Sequence, residues 1–497
     1  MTAATLMNLA PLLIVLVGGL VVMLMDAFLE EKAEPALISA LFLGTAAAVS
    51  MKLAMAGGAN GLPSTVSAYL SNDGLALLVD VSVLVGAALA SLLAGGYFDE
   101  HGDQRGEFYV LVIFSSLGAM VLGRANDLLS VFVGLETMSL GAYSLVGFRR
   151  TSPRAAEGAL KYFLLGSFAA ALFLFGAALL YGATGSTSFV GIRESIAGGH
   201  ADTALLAFAM LLLVAGLAFK VSAVPFHMWT PDAYEGAATP ATTFMAVVVK
   251  AAAFAVIVRF FLVALGDEAS MDASSGWPPL LAALAALTLV FGNLGALAQS
   301  SVKRMLAYSS IAHAGFVLTG IAAAFKVGEQ AVSSVAFYLL AYTVSNVLAF
   351  GSLIAVGSHG KEAVSYEDLA GVGRRHPLVA VPFVLGILSL MGFPPTAGFF
   401  AKYYVLSAAV SAGGFMLALA ILGVLASAVG AYYYLRVLVY LFMREPQAGA
   451  PVAVPMRSEY VSVALALAAT GVLLLGIAPG LVLEPAIEAA KSLLLGS

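Results

Sequence analysis

One stretch of this chain departs from all the others, and it reads Gly216-Leu-Ala-Phe-Lys-Val-Ser-Ala-Val-Pro-Phe-His-Met-Trp-Thr-Pro-Asp-Ala-Tyr-Glu-Gly-Ala-Ala-Thr-Pro-Ala-Thr-Thr-Phe244. It begins inside a strongly apolar run, and a lysine, a histidine and two prolines then follow where lipid-facing residues are expected: Lys220, His227, Pro225 and Pro231. Because a proline removes a backbone donor and disrupts a helix interior, the run 203–237 is predicted to be a broken helix. The backbone polar groups that a break frees at membrane depth need hydrogen-bond partners from protein or from a water-filled cavity. An ionisable residue beside such a break is a candidate functional group.

The composition decides the class of protein. Of 497 residues, 61% are hydrophobic and only 10% are charged, whereas a soluble domain carries roughly 25% charged residues. The sequence therefore predicts an all-α, polytopic transmembrane helical bundle with short loops. A formal net charge of -5 disfavours nucleic acid as a partner. The lack of cysteine excludes disulfides, thiolate-ligated iron–sulfur clusters and a haem-attachment motif in this chain, and we find no metal-ligand spacing.

Spanning helices are predicted from apolar runs of roughly 17–25 residues. We expect fourteen, at about 5–26, 35–56, 74–96, 107–124, 127–147, 157–182, 203–237 (broken), 239–265, 277–298, 302–325, 329–356, 376–411 (broken), 413–443 and 459–479. A short amphipathic segment, 483–495, is expected at the membrane interface. The predicted divisions are three N-terminal helices (1–106), a first five-helix repeat (107–265), a second five-helix repeat (266–443) and a C-terminal helix with the interfacial segment (444–497).

Basic residues predict the orientation of these helices. With the N-terminus outside, the inward-facing helix ends collect twelve of them: Lys32, Arg105, Arg149, Arg150, Arg154, Lys303, Arg304, Lys361, Arg374, Arg375, Arg444 and Arg457. The outward ends hold six: Lys52, Arg124, Arg193, Arg259, Lys326 and Lys491. Because cytoplasmic loops carry an excess of lysine and arginine, this distribution favours both termini on the outside.

The two broken runs indicate an internal repeat. Each carries a lysine near its break, Lys220 in the first and Lys402 in the second. Two helices before each broken run lies an intact helix with a titratable residue at its middle, Glu136 or His313, and the spacings to the lysines are 84 and 89 residues. Five helices separate the two copies, and an odd number inverts the topology. We therefore predict two inverted repeats, as in many secondary transporters, although Lys220 precedes its break whereas Lys402 follows its own.

Several titratable residues are predicted at one depth. At about 1.5 Å per helical residue, Glu136, Lys250 and His313 lie about 14–16 Å into their helices, near the midplane of a ~30 Å core. Lys220 and Lys402 join them through the broken helices. Placing each of these side chains in its charged form in hydrocarbon costs at least ~2.5–3.5 kcal/mol. Burial disfavours a charged lysine and a neighbouring carboxylate favours it, while histidine can accept and donate at once, so water-linked residues of this kind are predicted to form a polar line that exchanges protons.

Structural roles stay open for some of these residues. Glu136 is alternatively a static ion-pair partner of Lys161, near the start of the next helix, and His313 by itself is alternatively a satisfied core histidine. His227 and Tyr308 are further site candidates for which a structural role is the other interpretation.

Other charged residues are left outside the predicted site. Asp80 in the third helix is either a site residue or a helix-packing contact. Arg259, Lys303 and Arg304 lie at predicted helix ends, and we interpret them as topology or interface residues.

Three motifs carry a resemblance to a known family. The first is Lys220-Val-Ser-Ala-Val-Pro-Phe-His-Met-Trp-Thr-Pro-Asp-Ala-Tyr-Glu-Gly-Ala-Ala-Thr-Pro240; the others are Lys303-Arg-Met-Leu-Ala-Tyr-Ser-Ser-Ile-Ala-His313 and Gly392-Phe-Pro-Pro-Thr-Ala-Gly-Phe-Phe-Ala-Lys402. Together they resemble the N-type antiporter-like subunits of bacterial proton-pumping NADH:quinone oxidoreductase, respiratory complex I. The resemblance covers essentially the whole chain. The run Trp229–Gly236 is typical of the N-type, and a lysine at 402 disfavours the M-type, where glutamate is usual.

The resemblance implies a role for each residue of the predicted line. Glu136 and Lys161 correspond to the family's ion pair and Lys220 to its central lysine. Lys250 and His313 bridge to Lys402, the terminal lysine that exchanges protons with the outer side.

The resemblance also implies a setting, a multi-pass subunit of a bacterial inner membrane whose partners are other antiporter-like and small membrane-arm subunits of complex I. No cofactor is expected in this chain, and NAD, FMN, iron–sulfur clusters and quinone are expected in partner subunits. A stand-alone or Mrp-type cation/proton antiporter subunit is the alternative within the same fold, and a passive scaffold subunit is a third reading.

Overall fold

The computed structural model describes residues 3–28, 34–56, 62–101, 106–357, 362–446 and 455–495. Three basic residues used above for orientation, Lys32, Arg105 and Lys361, lie outside the described residues. Within these ranges the chain is all-α, as predicted, and its β-type pairs are isolated bridges such as Leu70 with Ala125.

The helices are α1 (Ala3–Phe28), α2 (Pro35–Met55), α3 (Ser64–Ser67), α4 (Gly74–His101), α5 (Glu107–Gly123), α6 (Leu128–Val146), α7 (Pro153–Thr184), α8 (Phe189–Ala197), α9 (Thr203–Val221), α10 (Trp229–Gly236), α11 (Thr239–Phe244), α12 (Lys250–Arg259), α13 (Trp277–Leu297), α14 (Val302–Val356), α15 (Val372–Arg375), α16 (Pro377–Met391), α17 (Ala397–Ala412), α18 (Phe415–Met443), α19 (Glu459–Ile477) and α20 (Gly480–Leu495). Two π-helical segments, Met245–Val249 and Phe260–Ala264, continue the α11–α12 run, and Glu367–Leu369 is a 3-10 turn.

The number of membrane crossings depends on how bent helices are counted. Eleven helices of the described ranges are long and apolar enough to cross a membrane, or up to twelve when a bent pair is taken as one span. In the count of eleven, the 55-residue α14 is one helix, although its residue Val327 has non-helical backbone angles (φ -128°, ψ 51°) that divide it into two halves. The Tyr342 hydroxyl donates to Ser310 Oγ at 2.7 Å across 32 residues, so the two halves of α14 lie side by side. The total of fourteen spans stays a prediction.

Both predicted helix breaks are present, and they are built alike. α9 is capped by Ser222 with φ +62°, and α16 is capped by Gly392 with φ +88°. In each, the next residue donates its backbone N–H to the carbonyl five positions earlier, which is the hydrogen bond of a Schellman cap. A proline follows three residues after each left-handed residue. The common cap is the feature expected of two copies of one unit.

The buried centre of the bundle is formed by α4, the α11–α12 run and α14. In the most apolar 18-residue stretch of each of these helices, nearly all residues are buried. In α1, α7 and α18, only about a third of the corresponding residues are buried. The outer helices instead expose large apolar side chains, among them Phe168 and Val424. Because ionisable groups are tolerated in a membrane only where protein or water surrounds them, the buried central helices are where a polar line can lie.

The bundle has two ends. At the Lys303 end, Tyr97, Arg149, Thr239 and Lys303 all contact Glu362. At the Val327 end, α20 packs over the tops of α4 and α14, where a Cβ on Gly74 would meet Ala489 and one on Gly328 would meet Leu494. The Lys303 end is the one that the excess of basic residues predicts to face inward.

Candidate functional site

Lys220 lies in the last turn of α9, directly before the break, and is buried. Its Nζ donates to Ser139 Oγ at 2.8 Å and to the Tyr143 hydroxyl oxygen at 3.0 Å. Glu136, Ser139 and Tyr143 follow one another on α6 at spacings of three and four residues, so they share one helix face. The Glu136 carboxylate is close enough to interact electrostatically with Lys220, and its Oε1 is buried without a hydrogen-bond partner. One face of α6 therefore presents the lysine with two neutral oxygens and a nearby carboxylate.

Lys161 is paired differently from the prediction. Its Nζ lies 2.7 Å from Asp232 Oδ2 and 2.6 Å from Glu157 Oε1, and the expected Glu136–Lys161 ion pair is not formed. The reason is position: Asp232 lies on α10, directly after the break, where it reaches the half-exposed Lys161 side chain. Arg304 contacts the same Asp232 through its other carboxylate oxygen, at 2.7 Å.

Lys250 begins α12, next to the π-helical segment Met245–Val249, and its side chain is buried. Its Nζ donates to the Ser310 carbonyl oxygen at 2.7 Å and to Ser310 Oγ at 2.5 Å. Ser310 Oγ also accepts the Tyr342 hydroxyl. Among the residues that the structure describes, no carboxylate lies within ion-pair distance of Lys250. Its ammonium group therefore meets only neutral oxygens.

His313 uses both of its ring nitrogens. Nδ1 lies 2.6 Å from the Tyr338 hydroxyl and Nε2 lies 3.1 Å from the Tyr434 hydroxyl. Its ring centroid is 5.1 Å from that of Tyr342, which joins it to the Lys250 group. A histidine with a hydroxyl on each side can accept a proton on one nitrogen and donate from the other.

Lys402 lies on α17 and reaches back to the second break. Its Nζ donates to the Met391 carbonyl oxygen at 2.9 Å and lies 5.1 Å from the centre of the Phe316 ring. A small cavity of about 10 Å³, about the space one water molecule needs, lies beside His313 and is also lined by Ala401, the residue before Lys402. The residues that line this cavity are His313, Tyr338, Tyr342, Ser345, Ser389, Leu390, Gly398 and Ala401.

The structure thus buries Lys220, Lys250, His313 and Lys402, places the half-buried Glu136 near Lys220, and leaves two candidates outside this set. His227 is half-buried in the turn between α9 and α10, and its Nδ1 has no hydrogen-bond partner. The half-buried Tyr308 packs its ring against Gly295 of α13. Neither side chain donates to the groups of the line.

Three basic residues expected at helix ends as topology or interface residues are ion-paired inside the bundle. Arg259 contacts Asp73 at 2.7 Å, Lys303 contacts Glu362 at 2.9 Å, and Arg304 pairs as described above. Asp80, left open between two roles, forms a buried ion pair with Arg124. Arg259 and Lys303 are buried and Arg304 is half-buried, and the acidic partner of each comes from another segment of the chain.

The acidic partners outside the spanning helices keep their charge. Burial by itself raises the pKa of Glu362, but the Lys303 charge and the hydrogen bonds from Tyr97, Lys303 and Thr239 outweigh it and lower the pKa to about 2. For Asp73, burial likewise raises the pKa, and the Arg259 charge and hydrogen bond lower it to about 2. These pairs brace the two ends of the bundle.

The family follows from comparison with known proteins. Residues 125–430 match the family model described as NADH:quinone oxidoreductase/Mrp antiporter, transmembrane. The chain belongs to this family. The matched segment contains both helix breaks and all the residues of the buried line.

Relatives within the antiporter-like family are similar over their whole length. The chain is 55% identical to NADH-quinone oxidoreductase subunit N 1 of Sorangium cellulosum, over 97% of each chain. It is 40% identical to subunit N of Myxococcus xanthus, over 97% of this chain and 96% of that one. A chain of respiratory complex I from Thermus thermophilus superposes with a TM-score of 0.78 at 36% identity, covering 95% of this chain and 98% of that one. A chain of the Mrp complex from Dietzia, at 22% identity over 100% and 98% of the two chains, superposes with a TM-score of 0.85, which shows a common fold.

Sequence analysis of this antiporter-like subunit missed the hydroxyl groups. Ser139, Tyr143, Ser310, Tyr338 and Tyr434 supply most of the hydrogen bonds to the buried lysines and the histidine, and Tyr342 donates to Ser310. The available signal was spacing: Ser139 and Tyr143 follow Glu136 on one face of α6, and Tyr338 and Tyr342 are four residues apart on α14. Asp232 was missed as well, although it lies inside the opening stretch.

Proposed function

We propose that this chain is the proton-translocating N subunit in the membrane arm of NADH:quinone oxidoreductase. The observation that carries the proposal is the set of four buried titratable groups, Lys220, Lys250, His313 and Lys402, each of which meets hydroxyl or carbonyl oxygens rather than a carboxylate. A packing role does not call for several unpaired lysines in this position, because each is costly inside a membrane.

The proposed cycle begins at the Lys303 end of the first repeat. Lys161 alternates between Asp232, its partner in this conformation, and Glu136. When Lys161 leaves Glu136, that carboxylate is free to stabilise a proton on Lys220; when Lys161 returns, Lys220 is driven to release it. Oppositely charged neighbours favour the protonated form of a lysine, so the position of Lys161 controls proton affinity at Lys220.

The proton then moves toward the second repeat. Lys250 receives it, and Ser310 and Tyr342 connect Lys250 to His313. The small cavity beside His313, which Ala401 also lines, is the proposed route on to Lys402. Because moving one charge against 100 mV costs about 2.3 kcal/mol, the inner and outer openings must be closed in turn. The packed surroundings of Lys220 and Lys402 are those of a closed state.

The proposal also assigns partners and orientation. Quinone reduction takes place in partner subunits, which hold NAD, FMN and the iron–sulfur clusters, and reaches this chain as an electrostatic perturbation at Lys161. The exposed apolar faces of the outer helices contact lipid and neighbouring membrane-arm subunits. Both chain termini lie on the periplasmic side of the bacterial inner membrane, with the Lys303 end in the cytoplasm.

Substitution of the central lysine tests this function. In Lys220→Ala, the assembled complex should lose most of its NADH-driven proton pumping and coupled quinone reductase activity, measured in inverted membrane vesicles. Lys52→Ala is the matched control, since it removes an exposed lysine from α2. Normal pumping by an assembled Lys220→Ala complex would refute the role of Lys220, and loss of assembly itself would support the passive scaffold. Sodium-dependent transport by the chain without NADH oxidation would identify an Mrp-type antiporter.

A further inference from the structure

Asp232 shares its carboxylate between two cations, and the cycle described so far uses only one of them. Lys161 Nζ lies 2.7 Å from Asp232 Oδ2, and Arg304 Nη1 lies 2.7 Å from Asp232 Oδ1. Each cation has a second carboxylate beside it, Glu157 for Lys161 at 2.6 Å and Glu235 for Arg304 at 3.0 Å. We refer to these five residues as the Asp232 network. Each cation in it therefore has more than one carboxylate partner.

The Asp232 network joins the two predicted repeats. Lys161 lies on α7 of the first repeat, and Asp232 and Glu235 lie three residues apart on one face of α10. Arg304 lies in the first turn of α14, in the second repeat. Its backbone N–H donates to Ser301 Oγ at 3.2 Å, so the N-cap of α14 fixes its position. The cation that shares Asp232 with Lys161 is thus held by a different repeat.

A departure of Lys161 leaves Asp232 with Arg304. Among the described residues, these two are the cations within ion-pair distance of Asp232. The side chains of Arg304 and Asp232 are each 29% exposed, so water solvates the carboxylate only in part. A carboxylate that is partly removed from water and has lost its counter-charge is unfavourable, because desolvation penalises the charged form. With Arg304 on its other oxygen, Asp232 keeps a counter-charge when Lys161 leaves.

We propose that Arg304 is a positioning residue of the lysine switch, which holds Asp232 while Lys161 is beside Glu136. The proposal rests on the function proposed above. Arg304 takes no part in proton transfer. It sets how firmly Asp232 retains Lys161, and therefore the share of time that Lys161 spends beside Glu136. The proton affinity of Lys220 depends on that share, because the Glu136 carboxylate favours the protonated lysine only when Lys161 is away from it.

Glu235 competes for the same arginine. Its Oε2 lies 3.0 Å from Arg304 Nη1, the nitrogen that also contacts Asp232. Two carboxylates on one nitrogen share its charge, so Glu235 weakens the hold of Arg304 on Asp232. The proposal therefore gives opposite signs for two residues in contact. Loss of Arg304 strengthens the retention of Lys161, and loss of the Glu235 charge weakens it.

Substitution of the arginine tests the proposal. In Arg304→Gln, Asp232 has Lys161 as its remaining cation. NADH-driven proton pumping in inverted membrane vesicles should then fall about threefold to fivefold, because an ion pair at a partly exposed position shifts an equilibrium by up to about that factor. Assembly on a native gel should be normal. Arg304→Lys keeps the charge and should restore most of the pumping. Arg154→Gln, which removes an exposed arginine at the start of α7, is the matched control.

A double substitution separates positioning from packing. Arg304→Gln combined with Asp232→Asn removes the carboxylate that retains Lys161, so pumping should recover to the level of Asp232→Asn alone. A structural role predicts instead that the losses caused by the two substitutions add. Pumping by the double variant that is as low as that of Arg304→Gln, or lower, refutes the proposal.

Glu235→Gln tests the opposite sign and does not depend on assembly of the Arg304 variants. It leaves Arg304 to Asp232 alone, so the assembled complex should pump at least as fast as the natural protein. A loss of about threefold or more, the size expected for Arg304→Gln, overturns the proposal.

The central lysine separates this proposal from the function on which it rests. If Lys220→Ala abolishes pumping while Arg304→Gln pumps normally, the subunit pumps and only the role of Arg304 is wrong. If both variants pump normally, the proposed function itself fails.

Discussion

The Glu362→Gln substitution gives the most quantitative test of how the bundle is held together. Glu362 accepts hydrogen bonds from Lys303 at 2.9 Å, Arg149 at 3.1 Å and Thr239 at 2.8 Å, and from the Tyr97 hydroxyl. It thereby joins the N-terminal helices to both repeats. Glutamine keeps the size of the side chain and removes its charge, which leaves the buried Lys303 ammonium without a counter-charge.

Two independent arguments give the loss in the free energy of unfolding that Glu362→Gln causes. The pKa of Glu362 falls from an ordinary 4.5 to about 2, and at about 1.4 kcal/mol per pH unit this corresponds to roughly 3 kcal/mol. Removing one member of a buried ion pair costs about 3–5 kcal/mol in other proteins. We therefore expect Glu362→Gln to lower the free energy of unfolding by about 3 kcal/mol at pH 7.

The sign of the pH dependence follows from the lowered pKa. The stabilisation by the ionised Glu362 carboxylate is fully present above its unfolded pKa of 4.5 and is lost as the pH falls toward about 2. The difference in unfolding free energy between the natural protein and Glu362→Gln should accordingly be constant near neutral pH and close within that acid range.

Tryptophan fluorescence measures the effect, since the only two tryptophans of the chain, Trp229 and Trp277, are both buried. Unfolding is followed in mixed micelles at increasing denaturant. Glu367→Gln is the matched control, an exposed glutamate five residues along the same loop. Equal stability of the two variants, or an unchanged acid dependence in Glu362→Gln, would refute the reasoning.

Two further predictions concern the break and the lysine switch. Gly392→Ala should destabilise the chain by about 1–2 kcal/mol, because φ is +88° there and a Cβ would lie 3.0 Å from Lys402 Cδ, whereas Gly44→Ala, with open space around it, should not; equal unfolding midpoints for both variants would contradict this. Asp232→Asn should change coupled proton pumping less than about fivefold, because its ion pair with Lys161 is partly exposed and screened by water, whereas Glu136→Gln should remove most of the pumping. Pumping rates in inverted vesicles decide between these outcomes, and a larger loss in Asp232→Asn would make Asp232 the principal carboxylate.

Much of the fold could be predicted because membrane helices are encoded locally. Length, apolar runs and prolines lie within one segment, and they predicted an all-α bundle with breaks near Pro225 and at 392–398. The structure contains both breaks, and the helices before them end at Val221 and Met391. Depth along a helix is local as well, so the mid-helix positions of Glu136, Lys250 and His313 could be predicted from their distance to a helix start.

What only the tertiary structure decided is which residues meet. Lys161 pairs with Asp232 across 71 residues, and Lys303 with Glu362 across 59, and no local pattern encodes a contact over such a separation. The hydroxyls around Lys220 and Lys250 come from α6 and from the first half of α14, and the open cavity lined by Val327 and Tyr404 exists only where α14, α17 and α20 come together. The sequence by itself determined that ionisable residues lie inside this membrane protein and mark a functional site, because a charged group in hydrocarbon is too costly to be retained without a function. The path was decided by packing, because hydrogen bonds form only between groups that the fold brings within about 3 Å.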